Sequence, residues 1–460
     1  MREAIGRACD RIASVRHPLL LLFAIGIAVR LAIAPLSIVY DSEFWALVIR
    51  NIDIGQGIYG VEGYYYTPVW GYVLGLVSAM QDALMNLGEV AVKVTEIIPI
   101  EGMGAYFSST IPSVAFLYSV KVPLFVFDAA LAYAVWYLVR DVTGNDRRAL
   151  FAFALAFLSP VLLVTTGVIA MPDTISATFA ILTVILLRRD HPFIAGMTFS
   201  LAVLTKFFPA FMIFILVAYL LSRNRDDRSR AMRQLALAVV GAGAMAAVIF
   251  APQILAGNID QCFQFLTDRT GSGVSSSLLD VVSGSMRIVV YALVLVVSAY
   301  VAVLMYRDRE GDPTRNLMKG CLLISALVLV YPPATQYIVI TVPFLAYWIA
   351  AEERRFVLSW KILAVGSVIC VFGSNAATLM PLGVWEGWFD VDSLVSFFTI
   401  WNDPIAFGIS ARNIQFAIGS GLQILGIAMI LWQMYGDSAR EFLRSRRGSA
   451  VANRRGPMND

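Results

Sequence analysis

The chain has 460 residues, of which 59% are hydrophobic and 15% are charged, and its formal net charge is +3. A soluble domain carries about 25% charged residues and is less than half apolar, so this composition excludes an ordinary soluble protein. The basic residues are spread over loops, and the net charge therefore gives no sign of a nucleic-acid partner.

Histidine and cysteine are too scarce to carry the chemistry. The two histidines, His17 and His191, flank Arg-rich segments, which argues against a histidine metal site or a Ser-His-Asp triad. The four cysteines are scattered without CxxC spacing and are predicted to be free buried thiols: Cys9, Cys262, Cys321 and Cys370. Any acid–base chemistry must therefore fall to carboxylates.

The chain begins with a basic segment, "MREAIGRACDRIASVRHP", followed by an apolar stretch from 18 to 40. That stretch is too long for the core of a signal peptide and lacks a small-residue cleavage site, so it predicts a retained first span. Further apolar segments of span length follow at 117–139, 149–169, 174–187, 193–206, 207–221, 234–252, 285–305, 317–331, 337–351, 358–378 and 413–435.

Lys and Arg in short loops mark the cytoplasmic side of a membrane protein. The basic clusters lie at the N-terminus, 140–148, 188–191, 223–233, 306–319, 352–355 and in the tail, and all fall on one face of a bundle of about twelve spans. The sequence therefore predicts an all-α polytopic membrane domain over residues 1–436 and a basic cytoplasmic tail over 437–460.

The first outer loop, 41–116, contains another apolar stretch at 67–83. A crossing there would put the later basic loops on the wrong face. We therefore predict an interfacial or re-entrant helix in this loop.

Ionisable residues at membrane depth are costly and indicate function by default. Here they are predicted to meet near the outer surface, around one cavity. They are Arg30, Asp41, Glu43, Lys121, Asp128, Asp173, Lys206, Asp268 and Arg269.

Several of these residues also have a purely structural interpretation. Asp41 and Glu43 are equally expected as plain surface acids, and Asp173 as a helix N-cap. The favoured interpretation of Lys121 is a side chain that extends to the interface.

Two other features leave alternatives open. Arg30 lies so deep that it requires an anionic partner, and Asp128 or Asp173 would supply one. The aromatic run "YYYTPVWGY" at 64–72 predicts an interfacial belt, or faces that stack on sugars or seat a lipid chain.

The ordered motifs resemble those of the GT-C superfamily, which comprises multi-span glycosyltransferases that use polyprenyl-phosphate-linked sugars. They are "YDSEF", "GQGIYGVEGYYYTPVWGY", "KVPLFVFDAALAYAVWYLVRDVTGNDRR", "GVIAMPDTISA", "LTKFFPAFM" and "YPPATQYIVI". The greatest similarity is to the GPI mannosyltransferase I (PIG-M) family, with the bacterial polyprenyl-phosphate mannosyltransferases second. That family carries DxD in its first loop, so Asp41 matches its first acid and Glu43 departs from its second.

The resemblance implies a GT-C-type bundle that transfers a hexose, in the first place mannose, from a polyprenyl- or dolichyl-phosphate donor. The acceptor would be a glycolipid or lipid-linked glycan at the outer face of the membrane. The short loops of the sequence separately favour a prokaryotic cytoplasmic membrane. Asp41 would be the catalytic base, and Glu43 would bind the acceptor or hold Asp41. Substrate-binding roles would fall to Arg30, Tyr65, Tyr66, Lys121, Asp128, Asp173, Lys206, Arg269, Gln336 and Tyr337.

No cofactor is assigned, although the acidic pair has the oxygen ligands that a divalent metal prefers. The alternative from another class is a secondary transporter or lipid flippase, which would keep charges near the bilayer midplane. A non-catalytic subunit of a glycosylation complex, and a transferase of glucose or arabinose, also remain open.

Overall fold

The computed structural model describes residues 16–37, 40–61, 63–64, 66–84, 92–94, 110–263, 278–330, 335–374, 383, 386–388, 390, 393, 396, 400–406 and 408–454. The α-helices of this part, in chain order, are α1 (Pro18–Ile33), α2 (Tyr40–Asp53), α3 (Pro68–Leu84), α4 (Val114–Thr143), α5 (Asp146–Phe157), α6 (Pro160–Leu162), α7 (Asp173–Arg188), α8 (Pro192–Thr205), α9 (Ile213–Arg223), α10 (Arg228–Leu255), α11 (Leu278–Arg307), α12 (Pro313–Leu327), α13 (Thr335–Ile338), α14 (Val342–Tyr347), α15 (Val357–Ser374) and α16 (Ala411–Arg454). Two short antiparallel hairpins pair β1 (Val92–Val94) with β2 (Thr110–Pro112) and β3 (Pro404–Ala406) with β4 (Ile409–Ser410).

The described residues contain seven helical segments that are long and apolar enough to cross a membrane. They are Pro18–Leu36, Val114–Thr143, Asp146–Val168, Arg228–Leu255, Ile288–Arg307, Arg354–Phe372 and Ala411–Gly436. A helix satisfies its own backbone hydrogen bonds, which is why such segments are helical in a hydrocarbon environment. The structure is that of an all-α polytopic membrane protein.

Five of the twelve predicted spans fall on shorter or interrupted helices. They are α7, α8, the segment Phe208–Arg223, α12 and the run from α13 to Glu352. A helix of 16 residues, such as α7, extends about 24 Å, less than the roughly 30 Å of a hydrocarbon core. That each of these five segments crosses the membrane stays a prediction. The helix α3 coincides with the apolar stretch predicted at 67–83, and its interfacial placement also stays a prediction.

The basic loops gather at one end of the bundle. Arg188 at the end of α7 reaches Asp141 at the end of α4, with Nη1 and Oδ2 2.7 Å apart, and its Nε donates to Thr314 of α12 at 3.2 Å. Arg223 at the end of α9 pairs with Asp190, with Nη2 and Oδ2 3.0 Å apart. Because α7 extends about 24 Å from Asp173 to this cluster, Asp173 lies at the opposite end of the bundle.

Three of the four cysteines fall in the described residues, and all three are buried and free, as predicted: Cys262, Cys321 and Cys370. Cys9 lies outside the described residues.

Glycine allows α8 and α10 to pack closely. A Cβ on Gly241 of α10 would overlap the carbonyl oxygen of Phe193 in α8, and a Cβ on Gly196 of α8 would overlap that of Ala238 in α10. Small residues at these positions allow the two backbones to approach, as is common between membrane helices.

Gly241→Ala is therefore expected to destabilise the protein by about 1–3 kcal/mol, because the backbones must separate to admit the methyl group. Gly243→Ala is the matched control, since Gly243 lies on the same helix and its Cβ would meet no atom within 4 Å. Thermal unfolding of the detergent-solubilised variants measures both effects. Equal melting temperatures for the two variants would contradict the close packing.

Candidate active site

Lys121 fixes the end of the first span. Its Nζ donates to the carbonyl oxygens of Ala34 at 2.7 Å and Ser37 at 2.9 Å, and the side chain is fully buried. The Ser37 hydroxyl in turn donates to the carbonyl oxygen of Val168 at 3.1 Å. The expectation that Lys121 extends to the interface is wrong, because the carbonyls that end the first span need donors that a buried ammonium supplies. Asp41 follows in the first turn of α2.

A distorted segment precedes Asp173. Leu163–Val168 forms a π-helical turn, and Ala170 then adopts a left-handed backbone conformation with φ of 52°. This conformation is costly for a residue with a Cβ, so the surroundings must hold it. Two hydrogen bonds do so. The Trp45 indole Nε1 donates to the Ala170 carbonyl at 3.0 Å, and the Met171 amide donates to the Thr165 carbonyl at 3.0 Å.

Lys206 stands at the centre of the site. It ends α8 in an extended conformation, with φ of −147° and ψ of 134°, and its side chain is only 11% exposed. Its Nζ lies 3.6 Å from Asp173 Oδ2 and donates to the Tyr66 hydroxyl at 3.3 Å. The carboxylate distance exceeds that of a good hydrogen bond, so the ammonium is held mainly by electrostatic attraction.

Two tyrosine rings flank the same ammonium. Nζ of Lys206 lies 4.5 Å from the ring centroid of Tyr66 and 5.4 Å from that of Tyr337. Both distances fall within the range of cation–π attraction. Tyr337 is supported from behind by Phe208, with ring centroids 4.6 Å apart.

Electrostatics also connect Asp41 to this group. Burial raises the pKa of the Tyr66 phenol, the Lys206 ammonium lowers it, and the carboxylates of Asp41 and Asp173 raise it. Asp41 and Asp173 therefore lie close enough to one hydroxyl to influence its ionisation. Among the described residues, the site contains two carboxylates, one ammonium and two phenols at the end of the bundle opposite the basic loops.

Below this group lies a fully buried ion pair. Arg30 Nε of α1 donates to Asp128 Oδ2 of α4 at 2.7 Å, and both side chains are 0% exposed. Asp128 also accepts from Thr166 Oγ1 in the π-helical turn and from Thr174 Oγ1 in α7, each at 2.7 Å. The guanidinium lies 4.2 Å from the ring centroid of Phe157. Asp128 is therefore the partner of Arg30, and it is one of the two candidate partners that the sequence analysis named.

The structure thus places the sequence-predicted residues in two layers. One layer contains Asp41, Tyr66, Asp173, Lys206 and Tyr337. The other contains Arg30, Lys121 and Asp128, which contact protein groups; substrate contact by these three stays a prediction. Gln336 is half-buried beside Tyr337 in α13. Tyr65, Asp268, Arg269 and the side chain of Glu43 lie outside the described residues.

Two aromatic residues of the 64–72 run are buried inside the protein. Tyr64 is 4% exposed and Trp70 is 0% exposed, and both pack among the aromatic side chains of α2 and the following loop. Trp70 cannot stack on a sugar, because Trp45 and its neighbours enclose it. Sequence reasoning missed Trp45 itself, although its spacing of four residues from Asp41 places the two on one face of α2.

In the described part of the chain, no three His, Cys, Asp or Glu side chains lie close enough together to hold a metal ion. The Glu43 side chain is outside that part.

The fold and the site define a polytopic membrane protein whose acidic, basic and phenolic side chains meet at one end of the helix bundle. Residues 109–332, just under half of the chain, match the model of glycosyltransferase family 87, a membrane glycosyltransferase family of the GT-C type. The match indicates a glycosyltransferase. It includes Lys121, Asp128, Asp173 and Lys206, whereas Asp41 lies outside it. No curated protein matches the chain.

Proposed function

We propose that the protein is an inverting membrane hexosyltransferase that uses a polyprenyl- or dolichyl-phosphate-linked sugar, in the first place mannose, and a lipid-linked glycan acceptor. The resemblance to the PIG-M family supports the donor and the sugar, and the family match supports transfer. The carrying observation is the Lys206 ammonium between Asp173, Tyr66 and Tyr337, with Asp41 in electrostatic range.

The proposed step is a single displacement at the anomeric carbon. The acceptor oxygen forms a bond to that carbon while the bond from the carbon to the phosphate oxygen breaks, and the electron pair leaves with the lipid phosphate. Asp41 takes the proton from the acceptor hydroxyl. A carboxylate at the end of the bundle suits this role, because the hydrated glycan of the acceptor and the lipid-linked donor would meet there.

Lys206 is the proposed partner of the leaving phosphate. Its 3.6 Å separation from Asp173 leaves room to exchange a loose ionic contact for a stronger one with a phosphate oxygen. Asp173 and the flanking phenols would then orient the sugar through its hydroxyl groups and its apolar face.

Lys206→Met is expected to lower kcat/KM for the lipid donor by about 10–100-fold, the loss of one charged hydrogen bond in a shielded site. Lys319→Met is the control, because Lys319 lies 4.8 Å from the ring centroid of Tyr435 in a similar cation–π contact away from this site. Initial rates at varied donor concentration measure the effect. Equal losses in the two variants would remove Lys206 from the proposed mechanism.

The function itself is tested with purified protein in proteoliposomes, supplied in turn with polyprenyl-phosphate-linked mannose, glucose and arabinose and with membrane glycolipid extracts. Mass spectrometry is expected to find a glycolipid heavier by one hexose with the mannose donor. Transfer from a nucleotide sugar alone would refute the proposed donor. Counterflow of a labelled solute without a covalent product would instead support the transporter alternative.

A further inference from the structure

Trp45 joins the helix that carries Asp41 to the turn that precedes Asp173. It lies four residues after Asp41 in α2, so both belong to one face of that helix. The Trp45 side chain is 0% exposed and its ring packs against Tyr66 at 5.3 Å between centroids. Its indole Nε1 donates a hydrogen bond to the Ala170 carbonyl oxygen at 3.0 Å.

Ala170 has the strained backbone conformation that this hydrogen bond stabilises. It is 1% exposed, its φ is 52°, and it lies three residues before Asp173. A left-handed residue with a Cβ returns to the ordinary region when its contacts are lost. Such a rotation would redirect the chain that leads into α7 and would move Asp173.

We infer that Trp45 is a positioning residue whose indole N–H holds the left-handed Ala170 turn and thereby fixes the separation of Asp41 and Asp173. The assignment rests on the proposed function for its catalytic consequence. The hydrogen bond joins residues 125 positions apart in sequence, in the helix that carries Asp41 and the turn that leads to Asp173. A misplacement of about 1 Å in a reacting group is enough to cost about 10²-fold in rate.

Trp70 provides a matched control in the same aromatic cluster. Its ring lies 5.5 Å from that of Trp45 between centroids, and it is also 0% exposed. Within the described structure its indole N–H has no hydrogen-bond partner. Trp→Phe at either position removes the same volume from the cluster, but only at position 45 does it remove a hydrogen bond.

The first measurement is hydrogen exchange of the full-length protein in detergent, followed over peptides that cover residues 165–174. Trp45→Phe is expected to increase the exchange rate there at least tenfold, and Trp70→Phe to leave it within threefold of wild type. Similar rates in the two variants would overturn the inference. If Trp45→Phe fails to fold, benzothienylalanine at position 45 keeps the shape of tryptophan without the N–H, and its exchange decides in the same way.

The second measurement is the pH dependence of kcat/KM for sugar transfer. A role limited to stability would lower the amount of active protein but leave the shape of the profile unchanged. Trp45→Phe is expected to lower kcat/KM at least tenfold and to displace the acid limb, since the separations among the charged groups of the site would change. An unmoved acid limb would overturn the positioning role. An inactive wild type would refute the proposed function alone, and hydrogen exchange would still decide whether Trp45 holds the turn.

Discussion

Asp41→Asn is expected to reduce the rate of sugar transfer by about 10²–10⁴-fold, the usual contribution of a general base. The amide has nearly the shape of the carboxylate but cannot accept the proton of the acceptor hydroxyl. KM for the proposed lipid donor is expected to change little, because its phosphate is proposed to contact Lys206. Initial rates with saturating donor and acceptor, normalised to folded protein, measure the loss.

Asp53→Asn is the control for this substitution. Asp53 ends the same helix, α2, and contacts Ser78, so it tests the loss of a carboxylate from α2 away from the proposed reacting atoms. It is expected to retain activity within threefold of wild type. Wild-type turnover by Asp41→Asn would exclude Asp41 as the base, and equal losses in both variants would show a general sensitivity of α2.

Asp128→Ala is expected to destabilise the protein by about 3–5 kcal/mol, because it leaves the Arg30 guanidinium buried without its carboxylate. It also removes the acceptor of the Thr174 hydroxyl and one of the two acceptors of the Thr166 hydroxyl. Arg30→Met combined with Asp128→Leu is expected to recover most of this loss, since a buried ion pair contributes little relative to apolar residues of similar size. Thermal and denaturant unfolding in detergent measure the three variants.

The control is an exposed ion pair of similar geometry. Arg140 Nε and Asp146 Oδ1 are 2.6 Å apart, with side chains that are 54% and 74% exposed. Asp146→Ala is expected to cost at most about 1 kcal/mol, because water solvates the remaining arginine. A loss for Asp128→Ala no larger than this would contradict the structural importance of the buried pair.

The sequence was most informative where electrostatics dominate. Basic loops cluster on one face of a membrane protein for physical reasons, and the resulting alternation of spans led to the expectation that Asp41, Asp173 and Lys206 meet at one end. The described structure places these residues at that end. The requirement of Arg30 for an anion likewise led to Asp128 as a candidate partner.

Residues that act through precise packing were not predictable in the same way. The left-handed backbone of Ala170 has no sequence signature, since glycine or asparagine would be expected there. The hydrogen bond from Trp45 depends on that turn. Lys121 was misinterpreted because its apolar stem suggests an extended side chain, whereas its actual partners are carbonyls at the end of another helix.

The number of membrane spans was also difficult to predict from the sequence. Hydropathy alone does not distinguish a crossing helix from an apolar helix that stops short, and α7 and α8 have 16 and 14 residues. Seven segments satisfy both length and hydropathy in the described part. The remaining five of the twelve need a topology measurement.

The carboxylate of Asp128 joins α1, α4, the π-helical turn and α7 at a single point. None of these can move away from the others without breaking the buried ion pair or a hydrogen bond to the buried carboxylate, so they are held together as one unit. The isoprenoid chain of the proposed donor would therefore reach the reacting end by another route. The least enclosed of the seven candidate spans are Arg228–Leu255 and Ile288–Arg307, which are only 11% and 22% buried, so the proposed donor would enter most easily beside them.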